Sequence, residues 1–152
     1  MEEKNIDLLQ KDIAKLIELS NPEQTEEQSK IMLKSGERRY VTALFLDMKG
    51  FTVLSERYDH EFIDNLINKL FMIFKNHIDK RGGWIEKFEG DSIFAAFGAK
   101  VTHEDDAVRA VDAGLAIQES LKNLQPHFSK LGTEIKVRIG IHSGEVTRSK
   151  RA

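Results

Sequence analysis

Seven consecutive residues, Tyr40-Val41-Thr42-Ala43-Leu44-Phe45-Leu46, carry no charge and are mostly β-branched, aromatic or aliphatic. A run of this length and makeup predicts a strand buried in the centre of a sheet, with apolar neighbours on both of its faces. It falls far short of the roughly 20 apolar residues a membrane helix needs. The chain must therefore provide further strands beside this one and amphipathic helices to cover it.

Those elements can be read on its C-terminal side. The run stops at Asp47-Met48-Lys49-Gly50, where the chain is expected to leave the sheet, and residues 51–56 predict a short helix. Residues 59–81 predict a long helix, with Phe62, Leu66, Leu70, Ile73 and Phe74 as its buried stripe. Lys80-Arg81-Gly82-Gly83 closes it, since cations favour the last turn and glycine accepts the left-handed cap. Residues 84–89 and 92–97 are two short strand patterns separated only by Gly90-Asp91, a hairpin signal because glycine takes the positive φ of a tight turn. Thr102-His103-Glu104-Asp105 has the spacing of a capping box. The helix it opens has Ala107, Ala110, Val111, Gly114, Ile117 and Leu121 as its expected inner stripe. Residues 134–141 alternate Ile135, Val137, Ile139 and Ile141 with polar or small residues and predict the last strand. The order strand, helices, hairpin, helix, strand gives an α/β (α+β) fold. It is a ferredoxin-like sandwich with a mainly antiparallel sheet and helices on one face.

The N-terminal part differs. Residues 1–38 are rich in Glu, Gln and Lys and contain no aromatic residue, with Ile6, Leu9, Ile13 and Leu16 at helical spacing. Asn21-Pro22 breaks that helix, Pro22 suits the first turn of a second one, and Ser35-Gly36 ends the segment. Residues 1–35 are thus expected to form a helical linker or docking segment, dispensable for the core of the domain. Residues 36–146 form that domain, and residues 147–152 a basic tail.

Composition narrows the function. The 152 residues are 40% hydrophobic and 32% charged, enough for one real core. Lys plus Arg is 23 and Asp plus Glu 25, a formal charge of −2, unlike the basic balance of a nucleic-acid binder. With no cysteine there is no disulfide, thiolate metal site or cysteine nucleophile. The start MEEKNIDLLQ lacks the apolar stretch of a signal peptide. The expectation is a soluble, cytoplasmic domain with no direct membrane contact in this segment, cut from a membrane protein at most.

Two acids stand at unusual places: Asp47 after the apolar strand, and Asp91 in the hairpin turn. If strand and hairpin are neighbours, the carboxylates converge at one edge. Two carboxylates ~4 Å apart repel by roughly 4 kcal/mol at an effective dielectric near 20, so such a pair calls for a proton or a metal. Oxygen ligation suits Mg²⁺ or Mn²⁺. Met48 to Thr52 joins a strand to a helix through Gly50, a place where backbone N–H groups bind phosphate, although no GxxxxGK[ST] loop is present. His60, His77, His103, His127 and His142 lack metal-site spacing, and Ser55 and Ser143 lack a triad context. Trp84 is expected in core or sheet-edge packing.

Leu44-Phe45-Leu46-Asp47-Met48-Lys49-Gly50-Phe51-Thr52 resembles the first metal motif of class III nucleotidyl cyclases, and residues 87–98, KFEGDSIFAAFG, resemble the second. His103-Glu104-Asp105-Asp106-Ala107 and residues 138–146, RIGIHSGEV, follow in the family's order. The resemblance covers roughly residues 36 to 146 and is nearest to bacterial and soluble-type domains. It implies the nucleotidyl cyclase fold and an adenylate cyclase making cyclic AMP and pyrophosphate from ATP for intracellular signalling. It assigns two Mg²⁺ or Mn²⁺ ions per site to Asp47, Asp91 and the Met48 carbonyl. The backbone of Lys49, Gly50, Phe51 and Thr52 is implied to cradle phosphates. Lys87 falls where adenylate cyclases carry a lysine that donates to adenine N1, and guanylate-specific members usually have glutamate. The family's head-to-tail homodimer, with sites shared between chains, is implied as well. The family's transition-state Asn and Arg have no match before Ala152, and Arg148 and Arg151 do not fit that pattern. The catalytic donors are therefore unassigned, and this chain alone is expected to turn over little. The alternatives are a catalytically inactive nucleotide-sensing or dimerisation module of the same fold, or a guanylate cyclase. A diguanylate cyclase is disfavoured, because Glu89-Gly90-Asp91-Ser92-Ile93 stands where its signature would be.

Overall fold

The computed structural model describes residues 2–20 and 38–147. The expected second helix after Pro22, its end at Ser35-Gly36, and Arg148 and Arg151 lie outside the described residues. The elements are α1 (Glu2–Ser20), β1 (Arg38–Lys49), α2 (Thr52–Arg57), α3 (His60–Lys80), β2 (Gly83–Glu89), β3 (Ser92–Phe97), α4 (Asp106–Lys130) and β4 (Lys136–Thr147). The strands form one sheet in the order β2-β3-β1-β4, and all three pairings are antiparallel. This is the ferredoxin-like arrangement expected, with β1 central and Gly90, at φ 58°, turning the two-residue β2–β3 hairpin. No helix among the described residues is long and apolar enough to cross a membrane.

Two-sided burial of β1 is not what forms. Leu44, Leu46 and Met48 are at most 2% exposed, whereas Phe45 between them is 55% exposed. The helices pack on one face only, and an antiparallel sheet can leave its other face to solvent. β1 also runs on to Lys49, so Asp47 lies within the ladder, opposite Ser92 of β3 and Arg138 of β4, rather than at its exit. β4 extends beyond the expected residue 141 because β1 offers it a partner at each position from Arg38 to Lys49.

α3 starts where its cap dictates: the Asp59 carboxylate accepts from the Phe62 amide at 2.9 Å. Ile63, Leu66, Leu70, Ile73, Phe74 and Ile78 face the core. The expected capping box of α4 does not form. The Thr102 hydroxyl donates to the Gly98 carbonyl at 3.3 Å, and the buried Asp106 carboxylate accepts from the His103 amide at 3.0 Å. Asp106 thereby takes the inner position of the first turn. Ala107 and Val111 point outward, and the inner stripe runs through Ala110, Ala113, Gly114, Ile117 and Leu121. Trp84 lies on the edge strand β2, with the Lys100 ammonium over its ring.

α1 packs across α3 and α4, and its Leu9 and Ile13 are fully buried in the same core as the sheet residues. The Asn76 side chain donates to the Ile17 carbonyl at 3.1 Å, Arg57 reaches Glu2 at 3.3 Å, and His127 pairs with Asp12. α1 is thus a docked helix, seated on the apolar surface that α3 and α4 present to it.

Candidate active site

The outer face of the sheet carries the candidate site residues Asp47 and Lys87. Strand alternation puts Phe45 and Asp47 of β1 on that face. Their neighbours there are Phe94 and Ser92 of β3 and Gly140 and Arg138 of β4. The Phe45 and Phe94 rings stack at 4.6 Å between centroids. Beside them is a cleft of about 380 Å³ whose walls include Asp47, Lys87, Glu89, Phe94 and Arg138.

Asp47 is the most telling residue in it. Its Oδ1 is buried and has no hydrogen-bond partner, and the Arg138 guanidinium Nε lies 4.0 Å away, too far to donate to it. A buried carboxylate oxygen without a donor is costly, and a cation relieves that cost. The Met48 amide donates to the Asp91 carbonyl at 3.0 Å, which clamps the hairpin turn against β1. Within a strand a residue's N–H and C=O point the same way, so the Met48 carbonyl is turned toward the Asp91 turn as well. The structure thus joins Asp47, Met48 and the turn that carries the solvent-exposed Asp91. Among the described residues no group of three or more His, Asp or Glu side chains is placed to hold a metal. A cation here would rest on two carboxylates and a carbonyl, an all-oxygen set that suits Mg²⁺ or Mn²⁺.

Lys87 reaches the cleft through a β-bulge. Ile85 pairs with Ala95 and Lys87 with Phe94, so Glu86 is an extra residue in β2. In regular pairing Lys87 would share the inner face with Ile85. The bulge instead sends Lys87 and Glu89 outward and brings Phe88 to Phe71 of α3, at 5.4 Å between ring centroids. The Lys87 ammonium lies 3.5 Å from Glu89 Oε2.

Gly50 has a steric role. Its φ is 108°, and a Cβ there would lie 2.1 Å from the Glu134 carbonyl oxygen. The Thr133 hydroxyl donates to the Gly50 carbonyl at 2.7 Å, tying the exit of β1 to the chain entering β4. Lys49 ends β1 exposed, Phe51 is half-buried at the N-cap of α2, and Thr52 begins that six-residue helix.

Glu89 and Arg138 were not singled out from the sequence. The alternation of β4 carries a signal for Arg138, which must face away from the inward Val137. Its nearness to Asp47 follows only from the β1–β4 register.

Residues 33–149 match the family model of the adenylate and guanylate cyclase catalytic domain. Adenylate cyclase 1 of Rhizobium meliloti is 33% identical over 108 residues, 70% of this chain and 16% of that protein. The crystal structure of the adenylyl cyclase CyaB from P. aeruginosa superimposes with a TM-score of 0.67 at 33% identity, covering 74% of this chain and 59% of that one. The guanylate cyclase domain of RhGC from Catenaria anguillulae, solved in complex with GTP, gives 0.63 at 31% identity, covering 73% and 60%. The chain spans about a fifth or less of the length of such curated relatives. With its four-stranded antiparallel sheet, one-sided helix layer and paired acidic motifs, the chain belongs to the adenylate and guanylate cyclase catalytic-domain family.

Proposed function

We propose that this domain serves an adenylate cyclase, in which the ribose 3′-oxygen of ATP attacks its own α-phosphorus to give 3′,5′-cyclic AMP and pyrophosphate. The observation that carries the reading is the unpartnered, buried Oδ1 of Asp47 in a cleft that also holds Lys87 and Arg138. Asp47, Asp91 and the Met48 carbonyl would hold two Mg²⁺ or Mn²⁺ ions, which supply Lewis acidity toward the triphosphate and the 3′-hydroxyl when bound. The backbone from Lys49 to Thr52 would cradle phosphates, and Arg138 adds a guanidinium that matches phosphate oxygens. The Lys87 ammonium is a donor and suits adenine N1, an acceptor, whereas guanine carries a hydrogen there. ATP is a cytoplasmic substrate, and we place the domain in that compartment. The bare outer face, with Phe45 55% exposed, fits a head-to-tail homodimer that closes each cleft with residues of both chains.

The test is nucleotide binding to the purified chain with Mn²⁺, followed by calorimetry, with the cyclic product read by mass spectrometry. Mn²⁺-dependent ATP binding is expected, and Asp47→Asn and Asp91→Asn should each abolish it. Little cyclic AMP is expected from this chain alone, because losing one transition-state donor costs roughly 10²–10³ in rate. Tighter binding of GTP, or formation of cyclic GMP, would replace the adenylate reading with a guanylate one. Unchanged Mn²⁺ affinity in both variants would remove the metal site.

A further inference from the structure

The turn that leaves β1 is held by a residue with no part in the chemistry proposed above. Past Asp47, β1 has no further ladder partner in β3, and Met48 and Lys49 pair only with Val137 and Lys136 of β4. The ladder then stops, and Gly50 carries the chain away at a φ of 108°. A strand end of this kind frays unless something fixes it. Thr133, half-buried in the connection from α4 to β4, supplies the fixing. Its hydroxyl donates to the Gly50 carbonyl at 2.7 Å. Its own amide donates at 3.1 Å to the carbonyl of Phe128, a fully buried residue of α4. The same connection is locked a second time by Arg57 at the far end of α2, whose guanidinium donates to the Leu131 carbonyl at 3.0 Å. The exit of β1 is thus tied to the core through Thr133, and the short helix that follows it through Arg57.

Resting on the metal-site reading above, we propose that Thr133 is a positioning residue for that site, holding the Met48 carbonyl where a divalent cation meets it. The kind of ligand is what makes the clamp matter. A carboxylate can swing about its own χ angles to follow an ion, as Asp47 and Asp91 can. A backbone carbonyl moves only with the chain, and Mg²⁺ accepts little departure from octahedral geometry. The Met48 carbonyl lies between two fixed points. On one side the Met48 amide is bonded to the Asp91 carbonyl at 3.0 Å, and on the other the Gly50 carbonyl is bonded to Thr133. Without the hydroxyl the second point is lost, and the peptide planes on either side of Lys49 can rotate. Thr133 touches neither metal nor nucleotide in this arrangement and acts through the backbone of β1 alone. A hydrogen bond that only stabilised the fold would change the melting temperature and leave the folded protein's affinity for metal as it was.

The two roles separate in the folded state. The purified chain is titrated with Mn²⁺ alone by calorimetry, as native protein, Thr133→Val and Thr133→Ser, at a temperature where circular dichroism shows each to be fully folded. Thr133→Val keeps the size of the side chain and the amide bond to Phe128, and removes only the hydroxyl. It should bind Mn²⁺ about fivefold more weakly, the fold-change that one lost hydrogen bond corresponds to. Thr133→Ser restores the hydroxyl and should bind within about twofold of the native protein. A loss below about threefold in Thr133→Val, with or without a lower melting temperature, would overturn the proposal, since the clamp would then serve the fold alone. A serine variant as weak as the valine one would overturn it too, because the methyl group and not the hydroxyl would be responsible. So would a Thr133→Val chain that does not fold. If the native protein itself binds no Mn²⁺, the metal reading falls and takes this inference with it, an outcome distinct from native binding that Thr133→Val leaves unchanged.

Discussion

The two faces of one sheet obey different demands, although the same strands build both. On the inner face Leu44, Leu46, Met48, Ile93, Ala95 and Phe97 are at most 2% exposed and meet helices. On the outer face their immediate neighbours Phe45, Asp47, Phe94 and Lys87 line an open cleft. Alternation alone separates them, so each strand carries a stability code and a site code interleaved at a period of two. The inner code fails when a side chain is made smaller. The outer code fails when chemistry changes, and shape changes there cost the fold little.

The sharpest way to break this comparison is to truncate a phenylalanine on each face. Phe97→Ala should destabilise by about 3–5 kcal/mol, because it empties a fully buried site. Phe45→Ala should cost about 1 kcal/mol, from its half-exposed ring and the stacking on Phe94. Urea denaturation of both variants measures the difference, and equal losses would mean that the outer face is core. Next in size is α1. Ile13 is fully buried against α3 and α4, and Ile13→Ala should cost about 2–4 kcal/mol in the same assay. A loss under about 0.5 kcal/mol would return α1 to the role of an outlying segment.

These contrasts also show where the sequence was informative. Elements whose evidence is local were legible: the hairpin from Gly90-Asp91, α3 from its apolar stripe and its closing Gly82-Gly83, and β1 as a central strand from its apolar run. What depends on a distant partner was not. Phe45 reads like Leu44 until one knows that no helix covers it. Asp47 follows an apolar run and resembles a strand exit, yet β4 carries the ladder past it. Lys87, Phe88 and Glu89 alternate equally well in either phase, so the bulge at Glu86 that sets their direction leaves no mark in the residue order. Leu9 and Ile13 have the spacing of any amphipathic helix, and only the surfaces of α3 and α4 decide that they are core. Asp47 and Asp91 stand out in the sequence by their places, one after an apolar run and one in a hairpin turn, and by the family-like motifs around them. Arg138 and Glu89 join the site through register alone.

The helix layer can be probed by pH, with a smaller effect. His77 Nε2 and the Ser120 hydroxyl lie 2.8 Å apart between α3 and α4. Burial, and then the charges of Arg81 and Lys80, push the His77 pKa down from 6.5 to about 4. The folded protein therefore takes up this proton less readily than the unfolded chain. The stability that the neutral ring contributes is complete above pH 6.5 and is lost as pH falls from there toward 4. Because the ring is only partly shielded from water, the loss should be about 1–2 kcal/mol. Comparing urea midpoints at pH 7 and pH 4.5 for the native protein and His77→Gln checks it, since the variant should lack this part of the acid sensitivity. An identical pH dependence in the two proteins would show the ring to be as hydrated as the outer face.

The smallest effect on stability belongs to the residue for which we propose the largest role in the site. Asp47→Asn keeps the size of the side chain and removes a charge whose Oδ1 has no hydrogen-bond donor. Removing an unsatisfied buried acceptor relieves a cost, whereas the ion pair lost to Arg138 spans 4.0 Å with both side chains substantially exposed and contributes little. The two effects oppose each other, and the net change in folding stability should lie within about 0.5 kcal/mol of zero. Mn²⁺ separates this from a structural role. The native protein should gain thermal stability as Mn²⁺ is added, since an ion that binds only the folded state stabilises it by mass action. Asp47→Asn should melt at the native temperature without Mn²⁺ and show no such gain with it. If Asp47→Asn instead unfolded the protein, Asp47 would belong with Leu44 and Leu46 as a residue that the fold requires, and the division between the faces would not hold at the position proposed to bind metal.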